Sequence, residues 1–214
     1  MKLPKETLIV FALSAIGMHD AGAATLTLVN SSFESPNISP PELWIAGTPT
    51  GWTNDYGQGE LGVQFDSTHG NQYAYFNTFN GWQILSQITS HTIELVGEQI
   101  SLTAWMKTNN YSLAWYGIPT NVEFTLQLIF SGGSLASYLH IDNTTSTDWT
   151  LVTAPTYTTT AADIGKTVGV YMGFKGDGNW SQAFLDEVSL NTIPEPSAAI
   201  LGTLGLFGFM RRRR

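Results

Sequence analysis

The segment VEFTLQLIF, residues 122–130, decides the fold class of this chain. Every second residue is apolar, beginning with the first and ending with the last, whereas Glu123, Thr125 and Gln127 stand at intervening positions. A period of two with one apolar face is typical of a strand in an antiparallel sheet that packs on one side. The segment therefore predicts a β-sheet with one face toward a core and one face toward solvent.

The same alternation recurs in 100–107 and 167–174, and β-branched and aromatic residues are frequent between clusters of Gly, Asn and Pro. Such a composition is typical of short strands. The further candidate strands are Thr25–Val29, Gln72–Asn77, Trp82–Ile88, Trp149–Val152 and Phe184–Leu190. Because 24–193 contains no convincing amphipathic helix of ordinary length, the sequence predicts an all-β domain of two antiparallel sheets packed face to face.

The N-terminal 23 residues have the pattern of a secretory signal peptide. Lys2 and Lys5 precede an apolar run over 7–18, and Ala21-Gly22-Ala23 offers the small residues that a signal peptidase accepts. The run is well below the ~20 residues that a membrane span needs, which disfavours a permanent anchor. We expect a signal helix over 1–23 and a single mature domain over 24–193.

The C-terminal residues 194–214 combine three features in order. Pro194-Glu195-Pro196 is followed by a Gly-rich apolar run over 198–210 and then by four arginines, 211–214. As a helix at ~1.5 Å per residue the run covers only about 20 Å of a ~30 Å hydrocarbon core. The arginines would stay cytoplasmic, so the tail predicts a short apolar helix with transient insertion into the inner membrane.

This tail resembles the PEP-CTERM sorting domain, which an exosortase recognises. The resemblance implies cleavage near Pro194, Glu195 and Pro196 and placement at the cell surface or in the extracellular matrix of a Gram-negative-type bacterium. An ordinary tail anchor is the alternative, but it would need a longer apolar stretch.

The charge of the body excludes some partners. Residues 24–193 hold three lysines and no arginine against fourteen acidic residues, a net charge of about −11 compared with −8 for the whole chain. Such a body should repel nucleic acid and favour neutral partners or cations. The chain has no cysteine, so no disulfide stabilises it after export.

Asp186 stands at an apolar position of its segment. In FLDEVSL, residues 184–190, the apolar phase runs through Phe184, Val188 and Leu190, and Asp186 falls in that phase. A buried carboxylate is costly unless it is compensated. Since the body has no arginine, backbone hydrogen bonds and a metal ion are the two solutions that remain open.

Three segments resemble galactose-binding-like jelly rolls of the carbohydrate-binding-module type. They are NSSFE at 30–34, PTGW at 49–52 and FLDEVSL at 184–190. The resemblance implies a jelly-roll β-sandwich with a structural Ca²⁺ that joins the first and last strands. Carried over by motif, the ligands are the side chains of Glu34, Asp66 and Asp186 and the backbone carbonyl of His69. The alternative is that Glu34 and Asp186 only accept hydrogen bonds from backbone amides in turns.

Two aromatic residues stand on polar strand faces, Trp105 between Thr103 and Lys107, and Tyr171 on another strand. Together with Gln127 they are candidates for one sugar-binding sheet face, because sugar rings stack on aromatic rings while amides bond the hydroxyls. The alternative is that the loop 109–120 covers them. Four further tryptophans are expected in the core or in loop packing: Trp52, Trp82, Trp149 and Trp180.

The sequence carries no recognisable catalytic motif: no G-x-S-x-G elbow, no H-E-x-x-H pair and no P-loop. We therefore expect a non-catalytic module that binds extracellular polysaccharide. The alternatives are a structural matrix protein without specific glycan binding and, less favoured, a glycoside hydrolase that pairs two of the many carboxylates.

Overall fold

The computed structural model describes residues 24–39, 41–65, 70–109, 122–144 and 146–193, and none of these is helical. The described residues contain the following strands: β1 Ala24–Thr25, β2 Trp44–Ala46, β3 Thr53–Phe65, β4 Gln72–Thr92, β5 Gln99–Asn109, β6 Val122–Phe130, β7 Ser134–Thr144, β8 Thr150–Thr153, β9 Tyr157–Thr158 and β10 Thr167–Ile193. All pair antiparallel, and the all-β antiparallel prediction is confirmed. The predicted signal and tail helices lie outside the described residues. Within those residues, no helix is long and apolar enough to cross a membrane.

Three long strands take part in both layers of the sandwich. The register of β3 breaks between Gly57 and Gly59, and that of β10 breaks between Asp177 and Ser181. Layer one consists of β7, β6, residues 167–177 of β10, residues 80–92 of β4 and residues 53–57 of β3. Layer two consists of β8, β5, residues 181–193 of β10, 72–78 of β4, 59–65 of β3, and β2. β10 thus pairs with β6 in layer one and with β5 in layer two.

The core lies between the layers and follows the predicted alternation. Phe124, Leu126 and Leu128 of β6 and Val170 and Met172 of β10 are all at most 1% exposed. Burying each such side chain stabilises the fold by roughly 1.5–3 kcal/mol relative to exposure. The period of two therefore assigns one face of each strand to the core and the other to the outer surface.

β4 and β10 are longer than the sequence predicts. Each joins two segments that were expected to be separate strands, because the chain bends at the register breaks without leaving the hydrogen-bonded sheet. β3 shows no clear apolar alternation, since it contains glycines at 57, 59 and 62. A Cβ on Gly59 would collide with the Asn77 carbonyl oxygen, and one on Gly62 with the Ile45 carbonyl oxygen. These two glycines let β3 approach its neighbours closely.

Candidate functional site

A cleft of about 360 Å³ lies on the outer face of layer one. We call it the aromatic cleft, and it is lined by Trp82, Ile84, Thr125, Gln127, Leu135, Tyr138, His140 and Tyr171. These residues come from β4, β6, β7 and the layer-one half of β10. The strand faces opposite to the core thus supply its surface, as the alternation of β6 requires.

Tyr171 lies on β10, between β6 and β4 in the cleft. It lies opposite Gln127 of β6 and Ser86 of β4, and Gly169 and Gly173 flank it on the same face of β10. A Cβ on Gly173 would come within 2.9 Å of Ile84 Cγ1 and closer still to the Gln83 carbonyl oxygen. Because the two glycines have no side chains, no side chain of β10 covers the strand on either side of the Tyr171 ring.

The polar groups of the cleft are held in position. Gln127 Nε2 donates to Thr125 Oγ1 at 2.9 Å, which orients the amide on the cleft surface. Burial raises the pKa of Tyr171, and the nearby Asp55 carboxylate raises it further. The phenol therefore stays protonated at neutral pH and can donate a hydrogen bond to a ligand.

One end of the cleft is charged. The His140 ring lies 6.0 Å from the Trp82 ring, and His140 Nε2 lies 2.8 Å from Asp142 Oδ1 and 3.7 Å from Glu123 Oε2. Lys175 Nζ donates to Glu123 Oε1 at 2.6 Å. In the described part of the chain, Glu123, His140 and Asp142 are the one group of three side chains close enough to share a metal ion. Because Lys175 already neutralises Glu123, the group forms a hydrogen-bonding end of the cleft.

The structure brings Gln127 and Tyr171 together but places Trp105 elsewhere. The expected common face is wrong for Trp105, which lies on β5 in layer two, because β5 pairs with the second half of β10 and not with the half that carries Tyr171. Whether any of the three contacts sugar stays a prediction.

Trp82 was missed as a candidate. It was expected in the core or in loop packing, yet it is half-buried and lines the cleft. Trp82 alternates with the buried Gln83 and Leu85 and therefore shares a strand face with Ile84. This alternation was the sequence signal that could have placed Trp82 on the outer face. Trp52 is buried in the core as predicted, stacked 5.3 Å from Phe33. The side chain of Trp180 lies outside the described residues.

A second aromatic group lies on the outer face of layer two, and we call it the lysine cage. The Lys107 Nζ lies 4.9 Å from the Tyr73 ring, 4.7 Å from the Trp149 ring and 5.1 Å from the Phe184 ring. Tyr73 and Phe184 are each 3% exposed. The cage is thus occupied by a cation of the chain itself.

Glu34 and Asp186, predicted metal ligands, come together at Gly70. Glu34 Oε1 lies 3.0 Å and Asp186 Oδ2 lies 3.6 Å from the position that a Cβ on Gly70 would take. Glu34 Oε1 accepts from the amides of Asn71 and Gln72, and Asp186 Oδ1 accepts from the amide of Glu187. Asp66 and His69, the other two predicted ligands, lie outside the described residues. Carboxylate oxygens suit a hard cation such as Ca²⁺.

Asp186 is 1% exposed, so its predicted burial is confirmed. The expected common phase is wrong, however, because Phe184 lies in a cluster with Tyr73 and Tyr75 while Val188 lies in the main core. The register of β10 shifts between Asp186 and Ser189, and Glu187 has φ 45°. This bulge changes which face the following residues occupy.

Comparison with known proteins identifies the tail. Residues 192–214 match the PEP-CTERM protein-sorting motif, as the sequence predicted. This motif indicates export and sorting to the surface or the extracellular space of a bacterium. No curated protein sequence matches the chain.

Solved structures similar to the body include enzymes and a binding domain. A Stig cyclase from Fischerella sp. TAU, in complex with an indole compound, matches 81% of this chain and 99% of its own with 17% identity and a TM-score of 0.64. The arabinose-bound α-L-arabinofuranosidase MgGH51 matches 81% of this chain and 27% of its own with 15% identity and a TM-score of 0.52. At these identities the two similarities show the fold alone. The CBM22-1 xylan-binding domain from Paenibacillus barcinonensis matches 77% of this chain and 92% of its own with 17% identity and a TM-score of 0.46.

Proposed function

We propose that the exported body binds a neutral extracellular polysaccharide in the aromatic cleft, without catalysis, after an exosortase has processed the PEP-CTERM tail. The observation that carries the proposal is the cleft itself, an aromatic and hydrogen-bonding surface on the outer face of a sandwich. We further propose that the sandwich is a jelly roll of the galactose-binding-like type.

The residues of the cleft suit a sugar chain. Trp82 and Tyr171 present half-buried rings, and Tyr138 is 57% exposed. Such rings stack on the apolar faces of pyranose rings. Gln127 and His140 supply groups that exchange hydrogen bonds with the sugar hydroxyls. The combination of an apolar surface with few fixed polar groups is what small-ligand sites commonly show.

The charges around the cleft favour a neutral chain. Asp55 lies near Tyr171 on one side, and Glu123 and Asp142 lie on the other. A polyuronate would bring its carboxylates toward these groups and toward a body of net charge about −11. We therefore expect weak binding of alginate and its like.

Support for a non-catalytic role comes from the pairing of the acids at the cleft. Glu123 is bonded to Lys175, and Asp142 lies against His140. A glycosidase needs one protonated and one free carboxylate on either side of the scissile bond. Glu123 and Asp142 lie together at one end of the cleft and each already has a partner, so these two do not provide that arrangement.

The test is affinity electrophoresis of the exported protein through gels that contain the purified extracellular polysaccharide of the producing bacterium. Wild type should be retarded, and Tyr171→Ala should be retarded clearly less. The matched control is Trp44→Ala, which removes an aromatic ring that is 56% exposed on β2, outside the cleft. Equal retardation of wild type and Tyr171→Ala, or no retardation of wild type, would overturn the proposal.

We also propose that Glu34 and Asp186 hold a structural Ca²⁺, with Asp66 and the carbonyl of His69 as further ligands. Such an ion would fasten the segment around Glu34 to β10, which the hydrogen bond from the Val188 amide to the Ser31 carbonyl already joins. The ion would supply positive charge to two carboxylates that converge on Gly70.

Asp163 shows how the chain compensates a buried carboxylate by itself. It is 4% exposed and accepts hydrogen bonds from the Thr160 amide and hydroxyl, the Tyr157 hydroxyl and Lys166 Nζ. Burial acts to raise the pKa of Asp163, but these hydrogen bonds outweigh it and hold the pKa well below its usual range. At Asp163 the side chain of Lys166 supplies a positive charge. At Gly70 two carboxylates, those of Glu34 and Asp186, converge.

The calcium proposal predicts that a chelator lowers the melting temperature of the wild-type protein and that added Ca²⁺ restores it. Asp186→Ala should lower the melting temperature and remove the response to chelator. The control Asp163→Asn should be destabilised yet still respond. A melting temperature that chelator leaves unchanged in wild type would refute the ion.

A further inference from the structure

A second cleft, of about 480 Å³, lies where the N-terminal segment meets layer two. We call it the Trp105 cleft. Trp105 of β5 and Leu151 of β8 are register partners, and both line it. Leu151 is 50% exposed. Hydroxyl side chains supply much of the remaining lining: Thr25, Thr27, Ser31, Ser32, Thr103 and Ser189.

The carboxylate of the Trp105 cleft is placed by the bulge in β10. Glu187 lines the cleft, is exposed, and has φ 45°, a left-handed conformation that costs free energy for a residue other than glycine. Strained residues of this kind gather at binding sites, where bulges redirect side chains. The bulge follows the buried Asp186, and Glu187 within it lines the cleft.

We propose that the Trp105 cleft is a second polysaccharide site, so that one molecule holds two segments of glycan at once. An indole ring, a patch of aliphatic surface, several hydroxyls and one carboxylate are the groups that recognise a neutral sugar chain. The inference rests on the proposed function, because it assigns the same ligand class to a different surface.

The two clefts are independent in structure. They share no lining residue. Trp105 alternates with the core residues Ala104 and Met106 of layer two, and Tyr171 alternates with Val170 and Met172 of layer one. The two rings therefore belong to opposite outer faces of the sandwich. A monomer with two such sites cross-links polysaccharide chains by multivalent binding, which joins the binding and matrix roles in one molecule.

The experiment mixes the exported protein with the purified extracellular polysaccharide of the producing bacterium and records turbidity. Wild type should produce turbidity that disappears in a large excess of protein, because each glycan segment is then occupied by a separate protein molecule and few molecules bridge two chains. Trp105→Ala and Tyr171→Ala should each reduce the turbidity at least tenfold. Trp105→Ala should still be retarded in the affinity gel, and the double variant should be neither turbid nor retarded.

Because truncation of Trp105 can destabilise β5, Leu151→Ala serves as a second variant at a position that is 50% exposed. It should fold with an unchanged melting temperature and lose part of the turbidity. If Trp105→Ala and Leu151→Ala cross-link like wild type while Tyr171→Ala loses all binding, the second site is refuted and the proposed function stands. If Trp105→Ala alone abolishes retardation, the aromatic cleft is refuted instead. If wild type is retarded but never turbid, bivalency is refuted.

Discussion

The aromatic cleft and the lysine cage are both aromatic groups on outer sheet faces, yet they differ in what fills them. In the cage, Lys107 lies within 5.1 Å of three rings, and Tyr73 and Phe184 are each 3% exposed. In the cleft, Tyr138 is 57% exposed and Trp82 is half-buried. The cage is closed by the chain itself, whereas the described residues leave about 360 Å³ open in the cleft.

This difference shows that aromatic residues on an outer face do not by themselves indicate a binding site. The decisive feature is whether another side chain of the protein completes their contacts. Where Lys107 does so, the rings stabilise the fold. Where glycines flank Tyr171, the ring surface is left for a ligand.

The largest effect is expected from Phe184→Ala in the cage. The ring lies 4.8 Å from the Tyr73 ring and is almost fully buried. Its loss should lower the free energy of unfolding by about 3–5 kcal/mol, measured by urea denaturation. Retardation in the polysaccharide gel should persist below the unfolding transition. A variant as stable as wild type would show that the rings of the cage do not stabilise the fold.

A smaller effect is expected from Trp82→Ala in the cleft. Loss of one stacking ring should weaken polysaccharide binding roughly tenfold, which corresponds to about 1.4 kcal/mol. The unfolding transition should hardly move, because the ring is half-buried on the outer face. A titration followed by affinity electrophoresis measures the change. Strong destabilisation with unchanged affinity would make the cleft a structural group like the cage.

The smallest effect is expected from Lys107→Met, which keeps the length of the side chain and removes its charge. Because cation–π contacts contribute about 0.5–2 kcal/mol, the free energy of unfolding should fall by about 1 kcal/mol. Polysaccharide affinity should stay the same. If Lys107→Met instead created a new binding surface or abolished retardation, the cage would have a role in recognition.

Much of the fold could be predicted from sequence because strand alternation is local. The segment 122–130 alone assigns one face to the core, and the structure confirms it. The same rule placed Gln127 and Tyr171 on outer faces. Their contact depends on the pairing of β6 with β10, which the alternation of either strand does not determine.

The errors arise from long-range pairing and from backbone conformation. Trp105 was grouped with Tyr171 because both face outward, but β5 pairs with the other half of β10. Glu187 adopts φ 45°, and nothing in the residue type favours that conformation. The phase after Asp186 therefore could not be obtained from apolar periodicity.

Hydrogen–deuterium exchange with and without the polysaccharide of the producing bacterium tests the central claim most directly, because it locates the contact. The account predicts slower exchange in the cleft segments, around Trp82, Gln127, Tyr138 and Tyr171, and unchanged exchange around Tyr73 of the cage. Protection confined to the cage, or no protection of the cleft segments when binding is saturated, would contradict it.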